Sequence, residues 1–388
     1  MPSKPSLVRS RLPRWAVPAV LALHVSVLVP AAHCFVEISR GELLAEVKAS
    51  VGIDSNIYGN ASEMDDTLIT IEPAAVYSRR AGRLNVDARA GVSVNDYADF
   101  DAEDSTDQFA RIDMTLPTVQ GSPLTGNLYA DYFNGRRIDI YLTDRIEIDA
   151  LSFGGRGAYR FNPKTEVRFG GDYLTNSPEG FQGSDTWSVL AGAGYVLRPK
   201  ASAFLDYRYR RTTSDRNPIT LNKVSRRDDG IFAGVGGELS ALLSGVVSVG
   251  FQTSDTDSSD IGGDADKFIA DVSLNWTPRQ RTEVTLSLSA DSAVTNDAQT
   301  VDRKAVTIGL EQEIGRSFSF KGTVGWEKFD FRQMASRSDD QLTASARLAY
   351  EARKFLTAGV EVTYWNRDPQ GFVGFDRTTL TFYTTFRY

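Results

Sequence analysis

Apolar and polar residues alternate with a period of two along most of the chain from residue 43 onward. The clearest case is the last stretch, where every second residue from Leu380 to Tyr388 is Leu, Phe, Thr or Tyr and the alternates are more polar. Side chains along a β-strand point alternately to its two faces. The pattern therefore predicts strands with one apolar face and one water-facing side, and an all-β chain.

Eighteen segments of this kind can be counted, an even number as bacterial membrane barrels require. The region 126–161 is the least regular, and loss of a hairpin there would leave about sixteen strands. The predicted strands are 43–54, 66–78, 84–97, 108–119, 126–136, 145–161, 165–174, 186–197, 201–212, 229–240, 244–254, 266–277, 282–291, 303–314, 318–332, 340–350, 355–365 and 376–388.

The connections between these strands alternate between short and long. Short turns such as 199–200 and 315–317 are followed by long, often Asp-rich segments such as 214–228 and 255–264. Short periplasmic turns and long external loops are typical of an antiparallel up-and-down transmembrane β-barrel. A secreted β-sandwich is the alternative, but its inter-sheet crossings would not give so even an alternation.

Aromatic residues fall near the predicted strand ends, where a barrel meets the two membrane interfaces. The last strand also resembles the closing strand of bacterial outer-membrane barrels, whose terminal aromatic is read by the assembly machinery. That resemblance makes Phe382, Phe386 and Tyr388 the candidate assembly signal. The expected partners are the barrel assembly machinery, outer-membrane lipid and lipopolysaccharide.

The first 34 residues have the composition of a secretory signal peptide. Lys4, Arg9, Arg11 and Arg14 precede a short apolar run, and 32–34 offers a cleavage site. The domains predicted are a signal peptide over 1–34 and an outer-membrane barrel over 35–388. Lipidation of Cys34 is the alternative, disfavoured because a His precedes the Cys.

Removal of that segment changes the available chemistry. The one Cys, Cys34, and both His, His24 and His33, lie within it. Disulfides, zinc sites and Ser–His or Cys–His nucleophiles are therefore excluded from the mature chain. No enzyme, metal or cofactor is predicted, although a barrel enzyme that uses Ser or carboxylates without His stays open. The net charge of −7 disfavours nucleic acid as a partner.

Two stretches near the start resemble a known family. Val47 to Tyr58 reads VKASVGIDSNIY, and Asp66 to Pro73 reads DTLITIEP. These residues are similar to the opening strands of the β-barrel porin type-2 family. The resemblance implies an envelope pore, with polysaccharide export components as further partners. A local explanation for Asp54-Ser55-Asn56 is an Asx-type cap on the first external turn.

The water-facing side chains carry charges of both signs, as expected of a water-filled lumen. The candidate selectivity residues lie on neighbouring predicted strands: Arg156, Arg168, Asp172, Asp206, Arg208 and Arg210. The same residues could instead form a salt-bridge network that braces the wall. Inward-facing Tyr129, Trp365 and Tyr383 could stack on sugars or simply fill a narrow lumen.

A porin-like channel, with polysaccharide export as its suggested role, is the first functional hypothesis. A non-conducting structural or secretion-system barrel subunit is the alternative, and a barrel enzyme is third. A TonB-dependent receptor is not expected, because the first strand begins too early to leave room for an N-terminal plug.

Overall fold

The computed structural model describes residues 36–38, 41–116, 122–139, 144–215, 225–257, 265–294, 300–332, 337–370 and 373–388. Eighteen antiparallel strands, β2 to β19, pair in chain order, and β19 pairs back onto β2. The sheet is thereby closed into a barrel. A short strand, β1, pairs with the start of β2, next to the seam where β19 and β2 close the barrel.

The strand bounds are β1 Val36–Ile38, β2 Gly41–Asp54, β3 Asp66–Ala81, β4 Leu84–Tyr97, β5 Ser105–Leu116, β6 Leu124–Asp139, β7 Asp144–Asn162, β8 Thr165–Pro178, β9 Ser184–Arg198, β10 Ala201–Ser214, β11 Ser225–Glu238, β12 Leu243–Thr256, β13 Ala265–Arg279, β14 Thr282–Val294, β15 Thr300–Ile314, β16 Phe318–Phe331, β17 Ser338–Arg353, β18 Leu356–Pro369 and β19 Phe375–Arg387. A 3₁₀ turn, Asp101–Glu103, lies between β4 and β5.

The predicted count of eighteen barrel strands is confirmed, and the sixteen-strand alternative is wrong. The irregular region forms β6 and β7, which pair along their full length. Each predicted strand end agrees with the observed one to within four residues. The predicted signal peptide, residues 1–34, lies outside the described residues. In the part of the chain that is described, no helix has the length and apolarity to cross a membrane.

The exposed outer surface of the barrel is rich in large apolar side chains, unlike the surface of a water-soluble protein. Large apolar residues cover the outer wall, with Phe268 69% and Phe161 65% exposed. The inward-facing Phe329 is fully buried and Phe232 is nearly so. A wall bounded by lipid on the outside accounts for this arrangement.

Outward-facing aromatic residues pair across neighbouring strands near the strand ends, as predicted. The rings of Phe318 and Tyr350 lie 4.8 Å apart at one end of the barrel. At the other end the rings of Trp187 and Tyr209 lie 4.9 Å apart. Paired rings at both ends fit two interfacial girdles.

The barrel closes through both backbone and side-chain bonds at the chain terminus. The backbone N–H of Tyr388 donates to the carbonyl of Ala45 at 2.8 Å, and the reverse bond is 2.7 Å. Next to this pair, Arg387 donates to the buried carboxylate of Glu46 at 2.5 Å. Arg89 donates to the other oxygen of Glu46. The seam is therefore held on the inside as well as along the backbone.

The first long connection, residues 55–65, folds into the barrel mouth. Ile57 is fully buried. A Cβ added to Gly59 would lie 2.7 Å from the Trp365 ring on β18 and 3.1 Å from Ile138 on β6. These strands are several positions apart around the barrel, so the segment extends across the opening. Only a residue without a side chain fits at Gly59, which also has a φ of +62°.

The start of this segment is fixed by local bonds. The backbone N–H of Asn56 donates to Asp54 Oδ1 at 3.0 Å, which is the predicted Asx-type cap. Asn56 Nδ2 also donates to the carbonyl of Asp376 on β19 at 3.1 Å. The Asx cap therefore turns the chain into the lumen, and Asn56 ties it to the closing strand.

Candidate lumen site

The six candidate selectivity residues lie together on the inner wall of β7 to β10. Because pairing in this sheet is regular, inward-facing residues of neighbouring strands form rows across the wall. The six occupy three successive rows, two in each: Arg168 and Asp206 in the brace row, Arg156 and Arg208 in the middle row, and Asp172 and Arg210 in the third row.

The brace row is internally neutralised. Arg168 Nε lies 3.0 Å from Asp206 Oδ1, and the Asp206 side chain is fully buried. The Arg168 guanidinium also lies over the Phe204 ring, 4.0 Å from its centre. A side chain on the intervening Gly192 would collide with the Asp206 carboxylate, so the glycine makes room for the pair. This row fits the bracing interpretation.

The charged side chains of the third row are also bonded within the wall. Arg210 bonds to Asp228 at 2.9 Å and to Asp291 at 3.2 Å. The Asp172 carboxylate accepts hydrogen bonds from the hydroxyl groups of Tyr129, at 2.9 Å, and Ser188, at 3.1 Å. Both charges are therefore committed to contacts within the wall.

The middle row differs. Within the described residues, neither Arg156 nor Arg208 makes an ion pair or a side-chain hydrogen bond, and the guanidinium carbon of Arg208 lies 4.0 Å from the centre of the Phe232 ring. Arg208 Nε is buried without a hydrogen-bond partner. A Cβ on Gly170 would lie 3.0 Å from Arg156 Cγ. Arg156 thus lies across Gly170, the residue next to it in the row, on the side towards Arg208.

Both middle-row arginines line a lumen cavity of about 280 Å³. Its other polar lining residues include Asp172, Ser188, Arg210, Asp228, Gln252, Asp271, Ser289 and Asp291. The Asp271 carboxylate has no hydrogen-bond or ion-pair partner in the described part of the chain. Among the described residues, the cavity thus combines two arginines that form no ion pair with two carboxylates, Asp172 and Asp271, that pair with no cation.

The inward aromatic residues considered for sugar stacking fill space instead. Trp365 packs edge-on against Phe375 at 5.2 Å and is 7% exposed. Tyr383 is 4% exposed and accepts a hydrogen bond from Arg347 at 2.7 Å. Tyr129 is engaged with Asp172. These contacts favour the space-filling alternative.

Two features of the lumen were not anticipated from the sequence. Phe204 and Phe232 lie on the water-facing side of their strands, the same side as the neighbouring charged residues. Each ring packs against an arginine guanidinium group. Arg367 and Asp339 form a fully buried ion pair at 2.6 Å near the long-loop end. The residues of both features occupy water-facing strand positions, which the alternation predicts. Which residues contact each other across strands could not be predicted from local spacing.

The chain also matches a known family. The profile of a family described as "Putative beta-barrel porin 2" matches residues 182–388, which is more than half of the chain. The chain belongs to this family. The match confirms the family suspected from the opening strands, and it covers the part of the porin-2 barrel that carries Arg208 and Arg210.

Solved structures similar to this porin-2 barrel include two receptors and one transporter. A mutant ferric enterobactin receptor, PfeA from Pseudomonas aeruginosa, is 8% identical and superimposes with a TM-score of 0.44 over 89% of this chain and 80% of its own. The siderophore receptor PirA from the same organism is 9% identical, with a TM-score of 0.43 and the same coverage. The iron transporter FrpB from Neisseria meningitidis is 8% identical, with a TM-score of 0.40 over 89% and 81% of the two chains.

Similarity this low says nothing about substrate. A search of curated proteins finds no match to this chain. The family description is that of a porin-type β-barrel.

Proposed function

We propose that the protein is a selective channel of the outer membrane, in which solutes pass along the arginine-lined side of the lumen. The observation that carries this proposal is the middle row, where Arg156 and Arg208 line the cavity and form no ion pair among the described residues. Charges needed only for bracing would be paired, as Arg168 and Arg210 are. Uncommitted charges in a confined lumen act on passing ions.

The narrow opening of the barrel favours a selective channel over a general diffusion pore. Residues 55–65 extend across the opening, with Ile57 fully buried. A solute must therefore pass a narrowed entrance before it reaches the cavity. We further propose export of extracellular polysaccharide as the process that the channel serves, which the family resemblance supports and no contact in the lumen specifies.

A non-conducting barrel subunit of a secretion or structural assembly is the second candidate. It is favoured by the packing near the long-loop end, where Arg367, Asp339 and Phe329 are all fully buried. Such packing of side chains inside the barrel stiffens its wall and leaves less space for a pore.

Planar-bilayer recording separates the two candidates. The purified protein, with its fold checked by different gel migration of boiled and unboiled samples, is expected to insert as discrete conductance steps. A known porin reconstituted alongside is the positive control. A folded sample that gives no steps while the control conducts would contradict the channel.

The polysaccharide role needs a separate test in the native host. Deletion of the gene is expected to lower surface polysaccharide and raise its periplasmic pool, and a plasmid copy should restore both. Unchanged surface polymer in the deletion strain would remove this part of the proposal. The same cell fractions would show whether the protein is in the outer membrane after loss of the predicted signal peptide.

A further inference from the structure

We propose that the middle-row cavity binds the carboxylate of a small hydroxylated organic acid, with Arg156 and Arg208 as its anion-binding residues. The inference rests on the proposed channel in that a solute reaches the cavity through the lumen. It adds a substrate class, a monoanion about as large as one sugar ring, and a saturable site.

The cavity lining carries three arginines and four aspartates, and two of the arginines form no ion pair among the described residues. Arg168 and Arg210 are neutralised by Asp206, Asp228 and Asp291. Arg156 and Arg208 are in the same row, separated by Gly170 and Leu190, and have no such partner among the described residues. A guanidinium group can bind a carboxylate with two parallel hydrogen bonds, which is among the strongest polar contacts in proteins.

The placement of the two side chains supports joint binding. Strands are about 4.8 Å apart, so three steps separate the two Cα atoms by roughly 14 Å. Arg156 lies across Gly170 towards Arg208, which shortens the gap between the guanidinium groups. Arg208 is held against the Phe232 ring, 4.0 Å away. A carboxylate between the two arginines could contact both.

The rest of the lining favours hydroxyl groups on the ligand. Ser289 and Asp271 have no side-chain hydrogen bond within the described residues, and both line the cavity. The Asp271 carboxylate can accept hydrogen bonds from hydroxyls and would repel a second anionic group on the ligand. The volume of about 280 Å³ is at the lower end for small-molecule sites and suits one ring rather than a chain of them.

Calorimetric titration of the full-length protein in detergent micelles tests this site without any need for conduction. Sodium glucuronate is the probe, glucose is its neutral counterpart, and sodium chloride at equal concentration gives the heat of dilution. Wild type is expected to bind glucuronate saturably and to give no saturable heat with glucose. Arg156→Gln and Arg208→Gln are each expected to weaken binding about tenfold or more.

Arg347→Gln is the matched control, because it removes the same charge from the lumen outside this cavity. Arg347 is on β17 and donates to the Tyr383 hydroxyl at 2.7 Å. It is expected to leave glucuronate binding unchanged, and gel migration of unboiled samples would verify the fold of all three variants. No saturable heat in wild type, equal heats with glucose, or an equal loss in Arg347→Gln would overturn the site. A barrel that fails to conduct but binds glucuronate would refute the channel alone.

Discussion

Arg168 Nε lies 3.0 Å from Oδ1 of Asp206, on a carboxylate that is fully buried while the arginine keeps partial contact with the lumen. The two residues are on β8 and β10, and Gly192 of β9 lies between them in the brace row. This pair therefore ties together two strands that do not pair with each other.

Removing one partner of this pair should destabilise the barrel. Arg168→Gln leaves a buried carboxylate without its cation, and we expect a loss of about 2–3 kcal/mol, reduced from the value for fully buried pairs because Arg168 is partly exposed. Asp206→Asn combined with Arg168→Gln should recover much of that loss. Urea unfolding in micelles, followed by tryptophan fluorescence, measures both. Equal stability of wild type and Arg168→Gln would show that the pair does not brace the wall.

The segment across the mouth should set the size of the opening. Ile57→Asp places a charge at a fully buried position, so we expect residues 55–65 to leave the lumen and the single-channel conductance to rise at least about twofold. Met64→Asp is the control, because it makes a similar change at a 43% exposed position of the same segment. If both variants conduct like wild type, the segment does not limit the current.

The fold could be predicted almost completely from the sequence because its signal is local. Alternation with a period of two identifies each strand, and the alternation of short and long connections gives the order of pairing. Closure then follows, since β19 must pair with β2 to leave no open edge. Even the irregular Leu124–Asp139 and Asp144–Asn162 strands keep enough alternation to be located.

The candidate site could be predicted only in part. The inward positions of Arg156, Arg168, Arg208 and Arg210 follow from the same alternation. Which of them are paired depends on register between strands and on distant partners such as Asp291, which no spacing reveals. The inward fold of residues 55–65 was equally hidden, although an isolated apolar Ile57 in a polar loop was a usable indication.

The terminal aromatic should matter more for assembly than other aromatic residues of the same girdle. Tyr388→Asp places a charge beside Phe355, whose ring is 5.8 Å away, and at the end of the closing strand. We expect protein levels in the outer membrane to fall at least about tenfold, since charge on the lipid-facing wall is unfavourable. Tyr350→Asp, at a similar girdle position on β17, is the control and should lower them less. Equal losses would indicate a general interface effect instead of an assembly signal.

The last prediction compares lumen arginines that form no ion pair with a lumen arginine that is paired with a carboxylate. Arg156→Gln with Arg208→Gln removes two cations without carboxylate partners in the described residues, so the ion preference in a salt gradient should shift towards cations, with a change in permeability ratio of roughly twofold or more. Arg168→Gln with Asp206→Asn removes one charge of each sign and should leave the preference nearly unchanged. Both pairs come from adjacent rows of one wall, and each replaces two side chains with amides. Reversal potentials of the two double variants, recorded under one gradient, make the comparison. A shift of equal size in both would mean that the preference is set by the shape of the lumen rather than by the free arginines, because only the first pair changes the net charge.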